Sequence, residues 1–341
     1  MWKNNNRTPI LIAILVQLPI FLFLVFGVRG AASEPPADGD DPFYVESLAI
    51  AGGDEREDAV YTAAIPSDEP VVSDEPAETE QPDEPEEDVF FTVLMDSSDI
   101  YRGSLLLINA DHPYEIPDDA GLIVINDDKT MTYRISSPNL LLYSGAMQAL
   151  NDMMDVFYEE TGRDNVTVTS AFRDNKRQQE ILDDYTARMG RKEALRWAAL
   201  PGHSEHHAGL AVDFGLFSSG EVRTFRGTGV YSWFGENAHR FGFLLRYPEN
   251  KTEITGAAYE PWHFRFVGEP HSYFIYQRGF VLEEYIEFIR SFSADNSFTD
   301  IYNEIIYEVY YTQDLEIVIP DDSEPTISGN NIDGFIVTLK H

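Results

Sequence analysis

Residues 33–89 divide this chain into a short amino-terminal part and a long carboxy-terminal part. The segment holds 20 acidic residues and one basic residue, Arg56, and it repeats Ser-Asp-Glu-Pro at Ser67–Pro70 and Ser73–Pro76. Such a composition cannot bury enough apolar surface to offset the entropy lost on ordering, and like charges with prolines extend a chain. We therefore predict a disordered acidic linker over 33–89, and a folded core only beyond it.

An uncharged run of 19 residues, Ile10–Val28, precedes the linker and follows Lys3 and Arg7. It exceeds the ~7–15 residues of a secretory signal core and approaches the ~20 that a membrane helix needs. Positive charge before the run and acid after it favour an extracellular position for the folded part. Residues 1–32 are thus predicted to be a single-pass anchor in the cell membrane. A signal peptide cleaved after the small residues 30–32, giving a secreted protein, is the alternative.

Composition excludes two kinds of interaction. The net charge of −35 argues against nucleic acid as a partner, because phosphates would be repelled. The chain has no cysteine, so it has no disulfide partner and no thiolate metal site. Any metal ligands must therefore be His, Asp or Glu. The apolar fraction of 43% is enough for a core.

Apolar periodicity beyond residue 89 predicts an α+β fold. A β-rich subdomain is expected over 90–134, from strand-length apolar runs at 90–95 and 104–109. Helices are predicted at about 139–160, 175–189, 270–277 and 282–292. Between them, strands are predicted at 166–170, 210–212, 243–247 and 262–267, with a flexible loop over 216–231. Three further strands predict a small β-rich extension over 299–341.

Two stretches carry side chains that bind metals. His206 and Asp213 are seven residues apart, and a turn through Ala208-Gly209 would bring them together; Glu260 and His263 follow 47 and 50 residues after Asp213. Two imidazoles and a carboxylate suit zinc with a fourth position open to water, and Glu260 would then take a proton from that water. Taken alone, a His–Asp pair at this spacing is more often a hydrogen-bonding pair than a metal site.

Three motifs stand out in the sequence: Ser204-x-His206-x-x-Gly209-x-Ala211-x-Asp213, Glu260-x-Trp262-His263 and Ser170-Ala171-Phe172-Arg173. Together they resemble the VanY-type D-alanyl-D-alanine carboxypeptidases, within the wider group of lysostaphin-like, D-Ala-D-Ala-specific and hedgehog-like zinc folds. The resemblance covers about residues 135–290. The family usually has Gly and Tyr where this chain has Ala171 and Phe172.

The resemblance implies a metallopeptidase domain over 135–292, with a central antiparallel sheet flanked by helices. It implies one zinc ion held by His206, Asp213 and His263. Glu260 is then expected to be the general base, and Arg173 the group that stabilises the oxyanion. Substrate binding is expected from Gln178 and Ser204.

The activity implied is removal of the terminal D-Ala from peptidoglycan stem peptides, which an exported domain would meet in the cell wall. Three alternatives remain open. One is a peptidoglycan endopeptidase of the same fold. Another is a non-enzymatic zinc-binding wall module, against which Glu260 and Arg173 argue because binding alone needs neither. The third is a tethered signalling ectodomain that acts through residues 299–341.

Overall fold

A computed structural model describes residues 89–118 and 120–341 of the chain. The predicted anchor over 1–32, and the acidic linker up to residue 88, lie outside these residues. Within the described part, no helix combines the length and the apolar character needed to cross a bilayer. The described residues form a fold of mixed helices and sheets.

The secondary-structure elements are numbered in chain order. The strands are β1 Phe90–Leu94, β2 Leu122–Val124, β3 Arg134–Ile135, β4 Leu141–Tyr143, β5 Val166–Ser170, β6 Ala211–Ser218, β7 Glu221–Thr224, β8 Phe243–Leu245, β9 His263–Phe266, β10 Phe298–Tyr302, β11 Ile305–Thr312, β12 Glu316–Pro320, β13 Glu324–Gly329 and β14 Phe335–Lys340. The α-helices are α1 Ile125–Asp128, α2 Ser144–Thr161, α3 Asn175–Met189, α4 Arg191–Ala194, α5 Ser232–Asn237, α6 Thr252–Thr255, α7 His271–Arg278 and α8 Leu282–Ile289.

The central sheet has the strand order β3-β5-β6-β9-β8, and β7 pairs with β6 as well. Its neighbours are antiparallel except for β3 and β5, so the expected antiparallel sheet has one parallel pair at its edge. The prediction of a flexible loop over 216–231 is wrong for the first part of that range. There β6 runs on to Ser218 and pairs with β7 across a hairpin.

The helix predicted at about 139–160 is α2, which starts later because 141–143 form β4. One face of α2 is buried in the main core beside aromatic residues of the sheet and of α5, such as Phe214, Phe264 and Phe234. Its methionines are core residues, as their spacing predicts. Gly162 ends the helix in the left-handed conformation, with φ at 68°.

A second core lies between helices α7 and α8 and the carboxy-terminal sheet, whose strand order is β10-β11-β14-β13. The prediction of a strand over 104–109 is wrong, because this stretch joins no sheet. It lies between the two cores, with Leu106 and Ile108 in the main core and Leu105 and Leu107 in the second. Single bonds replace a partner strand: the Leu107 N–H donates to the Asn330 carbonyl at 3.1 Å, and Asn331 Nδ2 donates to the Leu107 carbonyl at 2.8 Å.

The three strands within 90–134 pair with other parts of the chain and not with one another. β1 pairs with β12, β2 with β4, and β3 with β5. β1 and β12 together form a separate two-stranded ribbon. The described amino-terminal residues thus contact both the central and the carboxy-terminal parts of the fold.

Candidate active site

A tight turn brings the two halves of the first motif together. Residues Glu205–Ala208 form a single 3-10 turn that ends at Gly209, whose φ is 66°. A Cβ atom there would lie 2.4 Å from Leu122 Cδ2, so both the backbone conformation and the space require glycine. The chain then enters β6 and presents Asp213 as the third residue of that strand, not at its end as predicted.

Three predicted ligands meet at one point. Strand β9 pairs with β6 so that His263 lies directly opposite Asp213. Asp213 Oδ1 is 3.0 Å from His263 Nδ1, and Asp213 Oδ2 is 3.2 Å from His206 Nε2. One ligand atom from each residue lies within 4.8 Å of the other two. The side chains that the sequence places 50 residues apart therefore form one buried cluster.

The outer ring nitrogens of both histidines are occupied. His206 Nδ1 bonds with the Ala171 carbonyl, and His263 Nε2 lies 3.3 Å from Glu205 Oε2. The inner atoms, His206 Nε2 and His263 Nδ1, face Asp213. His206 Nε2 is fully buried, and its 3.2 Å contact with Asp213 Oδ2 does not have the alignment of a hydrogen bond. No other described residue bonds with this nitrogen, so its lone pair is available to a cation.

The donor set and its spacing fit zinc. Two imidazoles and one carboxylate are the ligands of many catalytic zinc sites. A tetrahedral ion with bonds of ~2.0–2.2 Å separates its ligands by roughly 3.3–3.5 Å. Each histidine contacts Asp213 at close to this separation, 3.2 Å from His206 to Oδ2 and 3.0 Å from His263 to Oδ1, on different oxygens of the carboxylate. With one ligand atom counted for each residue, the three atoms lie within 4.8 Å of one another.

Glu260 is a second carboxyl group, beside the three-residue cluster, with one carboxylate oxygen 3.8 Å from His263 Nδ1. Its backbone N–H donates to the Tyr247 carbonyl at 3.1 Å, which fixes it at the start of the turn before β9. Burial raises the pKa of Glu260 to about 8. The negative charge of Asp213 adds to this shift, whereas the positive charges of His263 and Arg173 oppose it. A carboxyl group with such a pKa can both accept and return a proton near neutral pH.

Arg173 follows β5 and reaches the cluster from the other side. Its Nη1 is 3.3 Å from Asp213 Oδ2 and 3.2 Å from Ser170 Oγ. Its backbone N–H donates to the His206 carbonyl at 3.1 Å, and its own carbonyl bonds with His207 Nδ1 at 2.6 Å. The guanidinium therefore has a fixed position beside the cluster, and its Nε has no partner among the described residues.

A cleft of about 280 Å³ opens onto the cluster, and Glu260 and Arg173 both line it. Gln178 and Ser204 line it too, each almost fully buried. Gln178 Nε2 donates to the Ala199 carbonyl at 2.8 Å, whereas its Oε1 has no partner among the described residues.

Two stacked indoles form part of the cleft wall. The rings of Trp262 and Trp197 are nearly parallel, with 6.3 Å between their centroids. A larger cavity, of about 510 Å³, contains none of these residues.

A buried ionic network, which the sequence did not predict, lies behind His263. Glu205 is 1% exposed, and its Oε1 lies 2.7 Å from Arg246 Nε and 3.0 Å from Arg265 Nη1. Burial raises the pKa of Glu205, but the two arginines and His263 together lower it below its ordinary value. One pattern could have revealed the network. Arg246 and Arg265 interrupt the apolar runs predicted as strands at 243–247 and 262–267, and a charge in a core needs a buried partner.

The chain is similar to known proteins across this site. Residues 139–269 match the family model "VanY: D-alanyl-D-alanine carboxypeptidase". A D-alanyl-D-alanine carboxypeptidase of Enterococcus faecium is 34% identical over 246 residues, which are 70% of this chain and 76% of that protein. One of Enterococcus faecalis is 37% identical over 216 residues, which are 59% of this chain and 72% of that protein.

A solved structure is similar over about three quarters of this chain. It is the vancomycin-resistance D,D-dipeptidase VanXYg in complex with a D-Ala-D-Ala phosphinate analogue. It is 33% identical, with a TM-score of 0.66, and the match covers 74% of this chain and 100% of that one. The similarity therefore extends beyond the segment 139–269 that the family model matches.

Proposed function

This chain belongs to the VanY family of D-alanyl-D-alanine carboxypeptidases, and from that membership we propose that it removes the terminal D-Ala from peptidoglycan stem peptides. It is a zinc-dependent peptidase. The observation that carries the proposal is the meeting of three ligands, a free carboxylate and a guanidinium at one cleft. A module that only bound zinc would need neither Glu260 nor Arg173.

His206, Asp213 and His263 would hold the zinc ion. When bound, zinc polarises the scissile carbonyl and lowers the pKa of a water molecule to ~7. Glu260 takes a proton from the attacking water and later returns it to the leaving amine. Arg173 donates toward the carbonyl oxygen as negative charge develops there.

Two cleft residues suit different parts of the substrate. Because Gln178 Nε2 is already used by the Ala199 carbonyl, its free atom Oε1 is an acceptor and suits a peptide N–H. The Ser204 hydroxyl can donate, which suits the terminal carboxylate. These contacts are part of the proposal.

The activity is tested on the full chain with zinc and a muramyl-type pentapeptide ending in D-Ala-D-Ala, followed by mass spectrometry. The expected product has lost one D-Ala, and a chelator blocks the loss. Cleavage further inside the peptide would indicate an endopeptidase instead. No cleavage by a zinc-loaded chain would contradict the proposed enzyme.

Replacing Arg173 tests its contribution to the transition state. Arg173→Lys keeps the charge but loses the planar fork of donors, and we expect kcat to fall by ~10²–10³, the usual cost of a lost oxyanion donor. Kinetics on the pentapeptide measure the effect, with KM reported separately. Arg177→Lys, an exposed arginine in α3, is the matched control and should leave kcat unchanged. Equal rates for Arg173→Lys and the native chain would contradict the role.

Hydrolysis should decline as the pH falls, because Glu260 must be ionised to accept a proton. The pKa of this carboxyl is about 8 without metal, against an ordinary value of 4.5, and a bound dication lowers it. The acidic limb of kcat/KM should therefore have its midpoint between these two values. Zinc content is measured at each pH to exclude metal loss. A flat profile across this window would contradict the assignment of the base.

We also propose that residues 1–32 anchor the chain in the cell membrane, with residues 33–89 as a spacer. The uncharged run Ile10–Val28 and the acidic linker support this. Fractionation of cells expressing the full chain tests it: membrane association that resists high salt is expected. Recovery of a shortened protein in the medium would favour a cleaved signal peptide.

A further inference from the structure

Glu205 touches a metal ligand but cannot itself be one in this arrangement. Its Oε2 faces the outer nitrogen of His263, Nε2, at 3.3 Å. Both of its oxygens are buried, and Oε1 is taken by Arg246 and Arg265. The carboxylate therefore lies behind His263, on the side away from Asp213.

The two arginines fix the position of this carboxylate, because both donate to its Oε1 and leave Oε2 facing His263. Arg246 is held in turn by Glu283: its Nη1 donates to Oε2 at 2.8 Å and its Nη2 donates to Oε1 at 2.6 Å. Arg265 Nη2 donates to the backbone carbonyls of Ser104 and Leu106, at 3.0 and 2.9 Å. An ionised carboxylate can only accept hydrogen bonds. His263 must therefore carry its proton on Nε2.

We infer that Glu205 is a positioning residue for the metal centre: it accepts a hydrogen bond from the Nε2–H of His263, which keeps the proton on Nε2 and leaves Nδ1 as the metal-binding atom. This inference rests on the proposed function. Partners that fix the tautomer of a metal-binding histidine typically change metal affinity by ~10–100-fold when removed.

The variant Glu205→Gln should reverse the tautomer and not merely weaken a contact. Arg246 and Arg265 both require an oxygen at the place of Oε1, so the glutamine would put its carbonyl there. Its NH₂ group would then point at His263 Nε2. That nitrogen would have to accept, and the proton would move to Nδ1, where it blocks the metal.

The test measures zinc affinity of the full chain by competition with a chelator of known affinity. Glu205→Gln should bind zinc ~10–100-fold more weakly than the native chain. Glu283→Gln is the matched control: it removes a carboxylate from the same Arg246 but does not touch His263, and should retain native affinity. Glu205→Asp keeps an acceptor-only group and should bind zinc more tightly than Glu205→Gln. A role in packing alone would give the opposite order, because Gln matches the shape of Glu.

One measurement needs no variant at position 205. In the zinc-loaded native chain, histidine ¹⁵N shifts should show His263 protonated at Nε2 and metal-bound at Nδ1. The inference is overturned if the metal is bound through Nε2, if Glu205→Gln retains native affinity, or if Glu283→Gln loses as much affinity as Glu205→Gln. If the native chain itself bound no zinc, the proposed function would fail instead.

Discussion

Glu260→Gln should abolish most turnover while the metal stays in place. A glutamine cannot accept the proton of the attacking water, and loss of a general base typically costs ~10²–10⁴ in rate. The side chain is not one of the three ligands, and the change preserves its shape in a buried position. Kinetics on the pentapeptide, together with zinc analysis of the same sample, measure both effects.

Glu269→Gln provides the comparison for this change. Glu269 is a carboxyl whose pKa is also raised by burial, but it bonds with Tyr302 and lies outside the cleft. It should retain native kcat. Full activity of Glu260→Gln would show that another group takes the proton, and loss of zinc would show that Glu260 supports the metal instead.

The second large effect is expected from His263→Ala, which should lose both zinc and hydrolysis. The change removes a ligand and leaves Asp213 Oδ1 without its partner at 3.0 Å. The metal supplies several kcal/mol of transition-state stabilisation, so its loss costs on the order of 10³-fold in rate or more. Zinc content after dialysis and the rate on the pentapeptide are the two measurements.

His239→Ala separates this effect from the loss of any buried ring. His239 is 9% exposed and stacks on Tyr276, with 3.7 Å between ring centroids, but it is not part of the metal cluster. This variant should keep zinc and activity. If a metal-free His263→Ala chain hydrolysed the pentapeptide at the native rate, the reaction would not depend on zinc.

The residues that could be predicted from sequence are those whose chemistry is rare and local. His206, Asp213, Glu260 and His263 belong to two short motifs, and the structure brings all four together beside one cleft, which the last three line. Helix α3 was equally predictable: Asp174 precedes it and caps it by accepting the backbone N–H of Arg177 at 2.7 Å.

What could not be predicted depends on contacts between distant parts of the chain. Glu205 is next to a ligand, but its role requires Arg246, which directly follows β8, and Arg265, which lies in β9. The stretch 104–109 has the apolar pattern of a strand, yet its backbone groups bond with side chains such as Arg265 and Asn331. Periodicity reports which residues are buried and not what their backbone bonds with.

The shared stretch 105–108 also determines how the protein should unfold. Because consecutive residues contribute to two different cores, neither core can open without exposing leucine side chains of the other. Residues 299–341 are therefore no detachable module, and their removal would uncover Leu105 and Leu107 together with one face of α8. Residues 89–341 are expected to denature in a single cooperative transition, with catalytic centre and carboxy-terminal sheet lost at the same temperature.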